Sequence, residues 1–288
     1  MRTRLLSAAV LVPVVVVLFV LGDFPLTLGI TVLAALAAYE VSRLVTAAGL
    51  KSDPWFAVGA TVIAVLGIRL SHLDVFFCCE PYYGDILGWM AAVLIVAAVL
   101  GMRHADPSVG FRSWMGNVIA ATYPSLLAFA ALLIATRPYL PDGAVLKGKL
   151  DTVPIWLVVL VLTVWTLDSA AYLSGRYVPM GHFMNHISPK KTWSGAVGGT
   201  VAAVAVCTLL TLLAGQTPIV GVALGLVIAV TAQAGDLAES MLKRAAAVKD
   251  SGNLIPGHGG ILDRVDSFLF AAPALFVALN WLSGLMRT

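Results

Sequence analysis

Gly195-Ala-Val-Gly-Gly-Thr-Val-Ala-Ala-Val-Ala-Val-Cys-Thr-Leu-Leu-Thr-Leu-Leu-Ala-Gly215 contains no charged residue and stops at a glycine. A helix needs about 20 predominantly apolar residues to cross a hydrocarbon core, so this stretch predicts a membrane span. Working outward, similar runs occur near 5–22, 25–46, 54–70, 86–102, 114–136, 154–173, 218–237 and 267–285. Chain breakers separate them: Gly22-Asp23, Ser52-Asp53-Pro54, Ala105-Asp106-Pro107, Pro138 with Pro141, and Gly215. Composition agrees, since hydrophobic residues make up 60% of the 288 and charged residues 11%, against about 25% charged in ordinary globular proteins. Too little polar surface is left to coat a soluble particle. A disordered chain, a nucleic-acid-binding protein and a secreted disulfide scaffold are all excluded. The expected fold is an all-α integral membrane protein, a polytopic bundle of about nine transmembrane helices.

Arg2 and Arg4 ahead of an apolar run imitate a signal peptide, but the run covers 5–21 and no small-x-small cleavage site follows. It is read as the first span. The 70–85 segment, with Phe76, Phe77 and two tyrosines, suits an interfacial or re-entrant piece. Cys78, Cys79 and Cys207 lack metal-ligand spacing and read as small apolar residues. Orientation follows from basic residues, which collect on the cytoplasmic side of membrane proteins. With the N-terminus inside, 13 of the 18 lysines and arginines face the cytoplasm, and nine spans leave the C-terminus outside. The expected organisation is 1–150 as N-terminal transmembrane helices and 151–288 as a catalytic region, with a cytoplasmic connection at 236–267.

That connection holds five of the 15 acidic residues, Asp236, Glu239, Asp250, Asp263 and Asp266, beside Lys243, Arg244, Lys249 and Arg264. Positions 236, 239, 240 and 243 share one face of a continuing helix, and Asp263 and Asp266 repeat the i,i+3 spacing. Between these pairs lies Pro256-Gly257-His258-Gly259-Gly260, a turn whose glycines let backbone N–H groups approach a phosphate. Asp236 and Asp266 abut apolar runs, where desolvation makes unpaired charge costly. Two carboxylates about 4 Å apart repel by roughly 4 kcal/mol at an effective dielectric of 20, so a converging pair calls for a cation. Oxygen ligands without a nearby cysteine favour magnesium over zinc. Carboxylates, lysines and glycines together suit phosphoryl or nucleotidyl transfer.

A second cluster joins Asp168, Tyr172 and Arg176, spaced i, i+4, i+8 at the inner end of the sixth span, to His182, His186 and Ser188-Pro-Lys-Lys-Thr192. An intramembrane Asp is a functional candidate by default, and an ion pair with Arg176 is its bland alternative. His182 and His186 read as interfacial histidines, and Glu40, inside the second span, as a structural partner of Arg43. No P-loop, H-E-x-x-H or G-x-S-x-G pattern occurs.

The run from Ser240-Met-Leu-Lys-Arg through Lys249-Asp250 to Pro256-Gly-His-Gly-Gly-Ile-Leu-Asp-Arg-Val-Asp266 closely resembles the signature of phosphatidate cytidylyltransferases (CDP-diacylglycerol synthases). Asp168-Ser-Ala-Ala-Tyr172, Gly175-Arg176 and Ser188-Pro-Lys-Lys-Thr192 resemble that family's second block. The match is sharp over 168–267; the N-terminal half is similar in span pattern and its Arg-rich start. The resemblance implies reaction of CTP with phosphatidic acid to give CDP-diacylglycerol and pyrophosphate. It also implies a magnesium-dependent, multi-pass and often homodimeric enzyme, placed in a bacterial inner membrane with its site facing the cytoplasm. On that reading Asp236 and Asp263 hold magnesium, with Asp266 or Asp168 completing the site. Lys243, Arg244, Lys249 and Arg264 neutralise the triphosphate, His258, Gly259 and Gly260 cradle it, and Arg176, Lys190 and Lys191 face nucleotide or lipid phosphate.

Two positions depart from the family pattern. Val178-Pro-Met-Gly-His182 lacks the usual Lys or Arg, and Ser194 stands where Glu or Gln is common. Transfer to another lipid phosphate is therefore carried as an alternative. An ion-coupled transporter is a rival from another class, disfavoured because its ionisable groups belong near the bilayer midplane, whereas this charge sits mainly in one inner connection.

Overall fold

The computed structural model describes residues 13–71, 82–136, 154–178, 180–254 and 259–286, and these are helical almost throughout. Residues 13–21 form α1. It is followed by α2 (Asp23–Ala47), α3 (Pro54–Ser71), α4 (Tyr82–Gly101), α5 (Pro107–Ser125), α6 (Ala128–Ala135), α7 (Ile155–Tyr177), α8 (Trp193–Leu213), α9 (Pro218–Ala245) and α10 (Leu262–Met286). The one β-type pairing among the described residues is an isolated bridge between His182 and Thr192. Among the described residues, seven helical stretches are long and apolar enough to span a membrane, one of them Pro107–Ala135, which holds both α5 and α6, and Pro54–Leu70 is a shorter apolar helix. The protein is thus an all-α, multi-pass membrane protein. Residues 5–12 of the expected 5–22 span, much of the ambiguous 70–85 segment, and Cys78 and Cys79 lie outside the described residues.

Helix starts coincide with the breakers. Asp53 accepts from the backbone N–H of Trp55 at 2.8 Å and opens α3 at Pro54. Asp106 does the same for α5, accepting from Ser108 N–H at 2.8 Å with Pro107 at the first helical position. That backbone bond, aided by the Ser108 hydroxyl, holds the Asp106 carboxyl below its ordinary range. Thr192 caps α8 through Gly195 N–H at 3.1 Å. Inside the spans, hydroxyls of Thr31, Thr208 and Thr231 donate to the carbonyl four residues back, which satisfies them where water is scarce. The run at 114–136 is not one helix. Pro124 cannot donate to the preceding turn, and the chain tightens through Leu126 N–H to Tyr123 (3.3 Å) and Leu127 N–H to Pro124 (3.1 Å) before α6 begins.

The chain forms two compact units, 1–132 with 241–265, and 133–240 with 266–288. In the first, α2 packs on α3 and α5, and α4 on α5. Asn117 accepts from Asp53 N–H at 2.7 Å, and Arg69 pairs with Asp23 at 3.6 Å. In the second, α7 lies against α8 at helix-to-helix backbone distance. A Cβ on Gly199 would stand 3.0 Å from the Leu167 carbonyl oxygen and the Ala171 side chain. Small residues at such a seam are what let membrane helices pack closely, because lipid offers no hydrophobic push.

Candidate active site

Within the second unit, Asp236 and Glu239 stand one turn apart on α9, and Asp266 projects from the start of α10. One oxygen from each lies within 4.8 Å of the others, the one such acidic group among the described residues. Glu239 is fully buried, while the other two are partly exposed. Gly235 makes the meeting possible, since a Cβ there would come 2.5 Å from the Asp266 carbonyl oxygen. Lys191 Nζ donates to Asp236 Oδ2 at 2.9 Å. A set of carboxylate oxygens without nitrogen or sulfur suits a hard divalent cation. Asp168, on α7, is exposed and is not one of the three.

Lys191 owes its place to the turn ahead of α8. Phe183 N–H donates to the Lys191 carbonyl at 2.8 Å, His182 bridges Thr192, and the Phe183 and Trp193 rings meet edge-on at 4.6 Å. Ser194 Oγ lies 3.1 Å from Thr192 Oγ1 and accepts from Met180 N–H at 3.4 Å, so it belongs to this cap. Lys190 and His186 are exposed on the same turn. Arg176, at the end of α7, donates to the Tyr172 hydroxyl at 2.8 Å and lies 5.9 Å from the Tyr172 and Tyr177 ring centres. It leaves Asp168 to other partners.

Within the first unit, Asp263 is surrounded by donors. Lys243 Nζ donates to Oδ1 at 2.6 Å; Oδ2 accepts from Ser251 N–H (2.9 Å), the Ser251 hydroxyl (2.9 Å) and Gly260 N–H (2.8 Å). Gly259 takes φ +81°, a left-handed conformation that favours glycine, and a Cβ there would meet the Asp263 carboxylate. Glu40 is not a partner of Arg43. Its buried carboxylate accepts from Ile261 N–H (3.0 Å), Leu262 N–H (2.8 Å) and the Ser251 hydroxyl (2.9 Å). The backbone donors at the start of α10 outcompete a guanidinium that would have to be buried beside them. Arg244, Lys249 and Arg264 are exposed. His258 lies outside the described residues.

Compared with known protein families, residues 2–282 match the cytidylyltransferase family. The chain belongs to that family. Among curated cytidylyltransferases, the phosphatidate cytidylyltransferase of Synechocystis sp. is 32% identical over 295 residues, covering 95% of this chain and 94% of the relative. That of Pseudomonas aeruginosa is 31% identical over 305 residues, covering 99% and 98%. A Brucella suis phosphatidate cytidylyltransferase is 47% identical over 122 residues, and there the chain spans 45% of the relative's length. In this chain, residue spacing places Glu239 on the same helix face as Asp236 but leaves it out of the expected ligand set. The i,i+3 spacing was the available signal. Glu40 had no local signal beyond being an acid in an apolar run.

Proposed function

We propose that this chain transfers the cytidylyl group of CTP to phosphatidic acid, forming CDP-diacylglycerol and pyrophosphate at the cytoplasmic face of a bacterial inner membrane. The observation that carries the reading is the gathering of Asp236, Glu239 and Asp266, with Lys191 on Asp236, in a chain matched along nearly its whole length by relatives of that name. An oxygen of the lipid phosphate attacks the α-phosphorus of CTP. The bond from that phosphorus to the β-bridging oxygen breaks, and its electron pair leaves with pyrophosphate. A phosphate monoester is already largely ionised at neutral pH, so the chain needs no strong general base.

Asp236, Glu239 and Asp266 would hold a divalent cation, Mg2+ in this reading, which supplies neutralising charge to the triphosphate when bound. Asp263 has both oxygens engaged by donors and acts as the anchor of Lys243. Lys243, Arg244, Lys249 and Arg264 offset triphosphate charge, and Lys190, Lys191 and Arg176 bind phosphate of nucleotide or lipid. Tyr172 and Tyr177 fix the Arg176 guanidinium by hydrogen bond and ring contact. The test is pyrophosphate release and labelled lipid formation from labelled CTP with phosphatidic acid in detergent. Turnover restricted to a different lipid phosphate would replace the acceptor, and none with any lipid phosphate would overturn the reading.

A further inference from the structure

Glu40 belongs to α2, more than 200 residues before the chain it binds, and is only 3% exposed. Its Oε1 accepts from Ile261 N–H and its Oε2 from Leu262 N–H, the first donors of α10. It thereby does for this helix what a neighbouring Asp or Ser does for others, and its negative charge meets the positive end of the helix dipole. Oε2 also accepts from the Ser251 hydroxyl, which lies 2.9 Å from Asp263 Oδ2 as well. The surrounding chain is shaped to admit this side chain. A Cβ on Gly252 or on Gly260 would run into the Glu40 carboxylate. One buried carboxylate therefore ties together Ser251 on one side of the glycine-rich stretch and Ile261-Leu262 on the other. From Ser251 and Gly260 the chain of bonds continues to Asp263, and from Asp263 to Lys243.

We propose that Glu40 is a positioning residue for the transferase reaction, holding Ser251 and the start of α10 so that Asp263 presents Lys243 to the triphosphate of CTP. This rests on the reading of the chain as a CTP-dependent transferase. Glu40 touches no substrate and acts through Asp263. Replacing it with glutamine keeps size and one acceptor oxygen, but sets an NH2 group against backbone N–H donors.

The full-length protein in detergent is tested as Glu40→Gln, Ser251→Ala, Lys243→Ala and the Glu40→Gln/Lys243→Ala double variant. Orienting partners outside the contact layer of a site typically change affinity or activity 10–100-fold. Glu40→Gln is accordingly expected to raise the KM for CTP about tenfold or more and leave the KM for the lipid unchanged. Ser251→Ala moves the CTP KM in the same direction, and it carries the test if Glu40→Gln fails to fold. Because Glu40 acts through Lys243, the double variant should be no worse than Lys243→Ala alone, a departure from additivity that a merely structural residue would not produce. Hydrogen exchange at Ile261 and Leu262 should accelerate in Glu40→Gln while amides further along α10 keep their protection. Equal changes in both KM values, additive losses, or unchanged exchange at 261–262 each overturn the proposal. If the wild type turns over no CTP, the transferase reading falls, and the exchange at 261–262 alone decides whether Glu40 holds this segment.

Discussion

Asp263 and Asp266 stand three residues apart on α10, yet their surroundings differ in kind. Asp263 accepts from an ammonium, two backbone N–H groups and a hydroxyl, whereas Asp266 faces Asp236 and Glu239. Asp263 and the acidic group that Asp266 shares with Asp236 and Glu239 should therefore fail differently when neutralised. Glu239→Gln removes one charge from the acidic group, so activity should return at higher Mg2+, with the half-saturating concentration raised 10-fold or more. Asp263→Asn should lose more than about 10–100-fold in turnover with the Mg2+ requirement unchanged, because the amide cannot hold Lys243 and sets its own N–H groups against those of Ser251 and Gly260. Metal titrations of turnover, normalised to folded protein recovered by size exclusion, separate the two. An Asp263→Asn variant rescued by excess Mg2+ would return that residue to the ligand set. Sequence spacing made Asp236, Asp266 and the lysines readable, since acids beside apolar runs stand out. It could not tell a carboxylate that collects N–H donors from one that collects other carboxylates, because Ser251, Gly260 and Glu40 reach their places through tertiary packing.

The α7–α8 pair shows how an element can be placed by what it lacks. Gly195 and Gly199 leave room for the Ala171 and Leu167 carbonyls, and Lys191 stands directly ahead of the helix that those glycines seat. Gly199→Leu should push α8 off α7. Overpacking of a tight contact costs about 1–3 kcal/mol, so the thermal midpoint in detergent should drop, with cytidylyl transfer falling alongside it. Val201→Ala, on the exposed side of the same helix, should stay within about 0.5 kcal/mol of wild type. Equal midpoints for the two variants would show that the seam does not hold the pair together. The existence of these spans was legible, since charge-free runs of about 20 residues have few alternatives. Their ends were not. The apolar run at 218–237 is the front of a 28-residue helix reaching Ala245, because Glu239, Ser240, Lys243 and Arg244 continue helical geometry beyond the apolar stretch. Hydropathy marks where lipid contact stops, whereas the helix stops where its hydrogen bonds do.

At the scale of the whole molecule, sidedness is what joins the chemistry to its substrates. On the proposed reading the substrates are CTP, a cytosolic metabolite, and a lipid phosphate at the headgroup level, so the charged connection after α9 is expected to face the cytoplasm. The basic residues argue the same way, 13 of the 18 lying inside when the N-terminus is inside. In that arrangement Asn253 is cytoplasmic and Thr217 is external, and both are exposed. The helix between them has the reach to separate them: 28 residues at 1.5 Å rise give roughly 42 Å, about the thickness of a bilayer with its headgroups. Single cysteines at 217 and 253, in a background with Cys78, Cys79 and Cys207 replaced, should respond oppositely to an impermeant thiol reagent in sealed cells. Position 217 should label from outside, and position 253 only after the membrane is opened. Labelling of 253 from outside would invert the topology and remove the CTP reading with it, since the carboxylates and lysines would then face a compartment without the nucleotide. Labelling of both from outside would deny that α9 crosses at all. The expected pattern ties the charge bias, the length of α9 and the location of CTP to one orientation.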